Sequence, residues 1–187
     1  MVIDETGQLW STGRQSYNLS STPFYGCLGR NSGSYWLPTW GSAMSGSLAG
    51  KSVTQAATSS TVSYAIDSTG AVHAVGSNQN GYLGIPSVPS GSSLNYITSW
   101  QATSVTNARK VIFAGAGYVL KDDNTLWVTS GNTWVQVGDA LLNDASKPVI
   151  DIVSGSGVLA LREDGSMVGY GGSLGATWTL QSINLLR

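Results

Sequence analysis

With 187 residues, of which 41% are hydrophobic, the chain has the length and apolar content for one domain with a core. Only 10% of residues are charged and the net charge is −1, with no basic block or stripe, which excludes nucleic-acid binding driven by phosphate neutralisation. Cys27 is alone, so no intrachain disulfide can form, and no apolar run approaches the roughly 18 residues of a membrane helix.

Gly, Ser, Thr and Asn fill the polar positions, a composition that favours strands and turns over helices. The first unit, "VIDETGQLWSTG" (2–13), is an apolar strand, an acidic turn closed by Gly7, and a second strand. Met1 leads straight into it, without the charged and apolar regions of a signal peptide, so classical secretion is not expected. A long insertion, 14–50, follows. It sets Tyr17, Phe24, Tyr25, Tyr35, Trp36 and Trp40 among Ser, Gly and Asn.

The opening unit then recurs as "AIDSTGAVHAVG" (65–76), "VLKDDNTLWVTSG" (119–131) and "LALREDGSMVGYG" (159–171). The turn residues are Gly70, Asn124 and Gly165, spaced 63, 54 and 41 residues apart when counted from Gly7. Gly and Asn tolerate the positive φ that tight hairpin turns demand. Before each later hairpin an apolar strand enters a small-residue corner, as in "TQAATSSTVSYAID" (54–67), "KVIFAGAGYVLKDD" (110–123) and "VIDIVSGSGVLALRED" (149–164). Trp40, Trp100 and Trp134 lie in the segments between hairpins, and Trp178 lies in the segment after the last. The one helical candidate, "GDALLND" (138–144), is too short to be more than a turn or a short helix.

Each repeat thus offers about four short strands. Repeats of this size with four strands predict an all-β, propeller-like array of about four blades, a partial or small propeller. The expected hairpins lie near 2–13, 62–76, 112–131 and 152–171, within a single domain over 1–187.

The stretch "DSTGAVHAVGSNQNGYLG" (67–84) resembles the blade signature of the RCC1 family of β-propellers, with Gly76, Asn78, Gly81, Leu83 and Gly84 in register. "GYGGSLG" (169–175) is a shortened version, and "STGRQSYNL" (11–19) keeps only a trace. "TWVQVGD" (133–139) and "LWSTG" (9–13) look like the bacterial and viral branch. The resemblance implies a seven-bladed ring of roughly twice this length. Four hairpins are fewer than such a ring needs. Three arrangements stay open: the N-terminal strands complete the C-terminal blade, the array is open, or other chains complete it. The exchange-factor activity of the best-known family member needs a full propeller face, and its chromatin role uses basic charge. Neither is evident here.

His73 is the only histidine and takes the place of Trp10 and Trp127 in the repeat, so a blade residue is expected. With one histidine, a His-rich zinc site and a His-based triad are both set aside. Asp122, Asp123 and Asn124 lack the spaced oxygen ligands of a calcium loop and fall at a hairpin turn, as do Asp4, Asp67 and Asp164. No helix follows "GSNQNG" or "GSGVLAL", which argues against phosphate loops. No catalytic residue, metal or cofactor is expected. Rigid aromatics among small polar residues suit a binding surface. The expected function is therefore a non-enzymatic interaction protein of a virion or cell exterior, such as a phage tail-fibre, tail or capsid-surface component. Its partners would be other virion or structural proteins, or a host glycan or surface receptor. No nucleic acid or membrane insertion is expected, and self-association is open. A purely structural subunit, a glycan-processing enzyme and an exchange-factor-like module are the competing readings.

Overall fold

A computed structural model of the chain describes residues 1–14, 26–30, 32, 34, 36–92 and 95–181. The fold is all-β. Strands β1 (Val2–Ile3), β2 (Leu9–Arg14) and β3 (Trp36–Ser42) form a three-stranded sheet in that order, blade I. Blade II holds β4 (Val53–Thr58), β5 (Val62–Asp67), β6 (Val72–Ser77) and β7 (Tyr96–Ala102). Blade III holds β8 (Ala108–Phe113), β9 (Gly117–Lys121), β10 (Leu126–Ser130) and β11 (Thr133–Gln136). Blade IV holds β12 (Val149–Ser154), β13 (Val158–Arg162), β14 (Met167–Tyr170) and β15 (Thr179–Gln181). All neighbours are antiparallel and follow chain order, so each blade is a simple meander. Blade I differs in that no described strand lies inside β1, and residues 138–144 form turns and bends with no helix.

The turns explain the meander. Gly7, Gly70, Asn124 and Gly165 all adopt positive φ, between 66° and 80°. In each turn an aspartate caps the chain. Asp4 Oδ1 accepts from the Thr6 amide and hydroxyl, and Asp67 Oδ1 does the same for Thr69. Asp123 serves Thr125, and Asp164 serves Ser166. These are Asx turns, in which the side chain replaces a missing backbone partner. The inner strands β4, β8 and β12 carry a β-bulge at one equivalent place, between Val53/Gln55, Ala108/Lys110 and Val149/Asp151. A bulge bends the strand and adds twist.

A four-stranded sheet must cover both of its faces. Each of the three apolar clusters among the described residues does this at one joint. Leu9, Ala43 and Leu48 of blade I meet Ala65, Val75 and Trp100 of blade II. Tyr64, Ile66, Val72 and Ala74 of blade II meet Val111, Val119 and Trp134 of blade III. Ile112, Tyr118, Leu120 and Leu126 of blade III meet Ile152, Ala160 and Val168 of blade IV. None of the three joins blade IV back to blade I.

Candidate functional site

The repeat can be followed atom by atom. Trp10, His73, Trp127 and Val168 occupy one position, three residues after the turn residue. Their outer-strand partners are Ser42, Ala102, Gln136 and Leu180. Two residues before each partner stands a tryptophan: Trp40, Trp100, Trp134 and Trp178. Each of the last three points at the preceding blade. Trp100 is buried against blade I and donates its Nε1 hydrogen to the Ala43 carbonyl at 2.7 Å. Trp134 is buried against blade II, edge-on to Tyr64 with ring centroids 5.7 Å apart. Trp178 packs on the cluster between blades III and IV and stacks on Tyr170.

The seats of these rings are glycines. A Cβ on Gly29 would overlap the Trp100 indole nitrogen, and one on Gly84 would overlap that of Trp134. Both glycines close a Gly-x-Leu-Gly segment, "GCLG" (26–29) and "GYLG" (81–84), and both have positive φ. The second segment is held by Asn78, which is fully buried. Its Oδ1 accepts from the Leu83 amide at 3.0 Å, and its Nδ2 donates to Val88 O and to Asn132 Oδ1. Blade III has no such segment, because β10 and β11 are joined by the tight turn Gly131–Asn132. A cleft of about 330 Å³ opens where the segment would lie, lined by Tyr118, Val128, Thr129, Tyr170 and Trp178.

Further latches cross the joints. The Val53 amide donates to Gly7 O, and the Ala108 amide to Gly70 O. At the bulges, the Gln55 amide group exchanges hydrogen bonds with both backbone groups of Val111, and Lys110 Nζ sits 2.5 Å from Asp151 Oδ1.

At the two ends no described residue fills these seats. Trp40, the first tryptophan of the series, is 55% exposed where its counterparts Trp100 and Trp134 are 1% and 4%. Val2, on the same face by register, is 50% exposed. On blade IV, Val153 takes the place of Ile112, and Leu159 and Leu161 take those of Tyr118 and Leu120. Val153 is 48% exposed and the two leucines are half-buried, whereas all three blade III counterparts are buried. Nothing lies within 4 Å of a Cβ built on Gly165 or Gly175, while the equivalent Gly7, Gly70, Gly29 and Gly84 all abut the following blade.

Of the sequence-predicted binding residues, Trp36 and Trp40 stand on β3 and are both exposed. Tyr17, Phe24, Tyr25 and Tyr35 lie outside the described residues. Cys27 is buried in the first Gly-x-Leu-Gly segment, and burial pushes its thiol up to about 11.

A polar cluster lies between blades I and II. Ser47 Oγ is 2.7 Å from His73 Nδ1, and His73 Nε2 is 3.1 Å from Asp67 Oδ2. Lys51 Nζ is 3.2 Å from the same oxygen. Burial would raise the Asp67 carboxyl, but bonds from Thr69, His73 and Lys51 outweigh it and hold the group well below the ordinary carboxylate range. A histidine count of one did not set aside a Ser-His-Asp array, since a triad needs only one ring. The geometry favours the expected blade role all the same. His73 is 2% exposed and both ring nitrogens are engaged. In blade I, Trp10 Nε1 bonds Asp4 Oδ2 at 2.8 Å in the same register, so a tryptophan does the same job there. Hydrogen bonds from Thr6 and then Trp10 draw Asp4 down to about 2. Among the described residues no group of three His, Cys, Asp or Glu could hold a metal ion.

No family profile matches the sequence, and no curated protein matches it. Solved structures do. Human WBSCR16 superposes over 97% of this chain and 50% of its own, at 18% identity and a TM-score of 0.74. The fold is that of an RCC1-like β-propeller. Yeast RCC1 (Prp20) bound to Kap60 matches over 88% of this chain and 38% of its own, at 16% identity and a TM-score of 0.65. A second Prp20 structure, from Saccharomyces cerevisiae, agrees over 88% of this chain and 39% of its own, at 16% identity and 0.64. The chain spans half or less of the length of these propellers.

Proposed function

We propose that the chain is a non-enzymatic interaction scaffold that binds protein partners through its two unfilled blade faces. The observation that carries this reading is the exposure of Trp40 and Val153, whose repeat counterparts Trp134 and Ile112 are buried in joints between blades. Exposed apolar faces of this kind mark interaction sites. Protein partners agree with the fold's known use: Prp20 was solved bound to Kap60, and the other Prp20 structure concerns its binding to Gsp1p and histones. At 16% identity the likeness carries no partner identity across. The sparse charge and the Ser-, Thr-, Gly- and Asn-rich composition support a place on a virion or cell exterior, with a virion or structural protein as partner.

A photo-reactive amino acid placed at position 40 or 153 tests this in cells that make the protein, with exposed Gln101 as the control position. Protein adducts at 40 and 153 well above those at 101 are expected. Equal yields at all three would contradict the reading.

A further inference from the structure

We infer that the partner of each open face is a second copy of this chain, joined head to tail so that blade I of one copy seats on blade IV of the other. The inference rests on the reading of the blade faces as the docking surface and names what docks there.

The two faces are the two halves of one joint. Blade I presents what every following blade inserts backwards: an outer-strand tryptophan, Trp40, with Val2 and Trp10 beside it. Blade IV presents forwards the glycine seat that blades I and II offer and the apolar register that blade III offers. It has a Gly-x-Leu-Gly segment, "GSLG" (172–175), whose Gly175 has positive φ and open space above it, as Gly29 and Gly84 would have without Trp100 and Trp134. It has Val153, Leu159 and Leu161 at the register of Ile112, Tyr118 and Leu120. A groove of about 180 Å³ runs between Val153, Leu159 and Leu174. Neither half is self-complementary, because tryptophan needs a glycine seat and a glycine seat needs a ring. A two-fold isologous contact through one face is therefore disfavoured, and a heterologous contact is favoured.

The two halves stand at opposite ends of the row of blades, so a pair of copies can satisfy both at once. Two copies give two identical joints, Trp40 of each on Leu174–Gly175 of the other, and leave no blade face bare.

Sedimentation velocity of the purified chain over a wide concentration range, with two variants, tests the inference. Trp40→Glu spoils only the blade I half and Val153→Glu only the blade IV half. Both residues are half-exposed, at 55% and 48%, so both variants should fold, and far-UV circular dichroism checks it. The wild type is expected at twice the 19.5 kDa monomer mass. Each variant alone should associate more weakly by roughly tenfold or more. Mixing the two variants should restore association, since one joint of the mixed pair then has both halves intact. A monomer at every concentration overturns the inference, as does a ladder of longer species. A dimer that Val153→Glu leaves untouched overturns it too. A monomer that still gives protein adducts at positions 40 and 153 in cells sinks the second copy and leaves the scaffold reading standing. A monomer without such adducts sinks both.

Discussion

The joint between blades II and III and the bare faces at the two ends are built from the same parts and differ only in what lies opposite. In the joint, Trp134 stands edge-on to Tyr64, roofed by Gly84 and Leu83, and the turn carbonyl of Gly70 is taken by Ala108. At the ends, Trp40 and Gly175 keep the same places with no described residue opposite. A residue's exposure here reports its neighbour more than its own type. The apolar burial that steadies a blade comes from the adjacent blade, as in other stacked repeats.

The largest effect should come from emptying a filled seat. Trp134→Ala removes a buried ring from the core of a joint and should cost about 3–5 kcal/mol. Trp40→Ala in dilute monomer should change stability by less than about 0.5 kcal/mol. Urea unfolding of both variants measures the contrast, and equal losses would erase it. Next comes the support of the seat. Asn78→Ala strips the Leu83 amide, the Val88 carbonyl and Asn132 of a buried partner and should cost about 2 kcal/mol or more. A cost near zero would mean that the glycine loop does not hold the ring.

The glycines sharpen the comparison further. Gly84→Ala and Gly175→Ala both force a side chain into positive φ, at 63° and 97°, which costs on the order of 1–2 kcal/mol. Only Gly84→Ala also drives a methyl into an indole, so its melting temperature should fall further. Identical shifts would place both glycines outside any seat.

The smallest effect is electrostatic. Asp4 and Asp164 are each drawn down to about 2 from an ordinary 3.8, and Asp67 is held low as well. Their folded values lie below their unfolded ones. The stability they contribute is therefore present above about pH 3.8 and fades as the pH falls towards 2. The urea midpoint should be flat above that window and drop within it, with a shallower drop in Asp67→Asn. A midpoint that held constant from pH 4 to pH 2 would contradict the role given to the Asx turns.

Much of the fold was legible in the sequence because hairpin turns are local. Asp-x-x-Gly, Asp-Gly and the Asp-Asn of the third repeat each fix a turn within a few residues, and four turns between apolar runs announce four sheets. The tryptophan series was visible too, as a ring in the segment after each hairpin. Its meaning was not, because a joint is made by residues far apart in the chain. Nothing local tells that Gly29 lies under Trp100 or that Ser47 reaches His73. "GCLG" repeats the spacing of "GYLG" inside the insertion whose aromatics suit a binding surface, and it is the local sign of the first seat. Trp40, picked out there for its surroundings, stands in the structure as the first of the seated rings without its seat. Among the described residues blade I has three strands, where the repeat predicts about four.

Hydroxyl-radical footprinting of the four outer-strand tryptophans, read by mass spectrometry across a dilution series, tests the central claim most directly. Trp100 and Trp134 should stay protected at every concentration. Trp40 should be the fastest to oxidise in dilute solution and should gain protection as the chain is concentrated. Oxidation of Trp134 as fast as Trp40 in dilute solution, or a Trp40 already shielded there, would contradict the account of seats filled within the chain and left open at its ends.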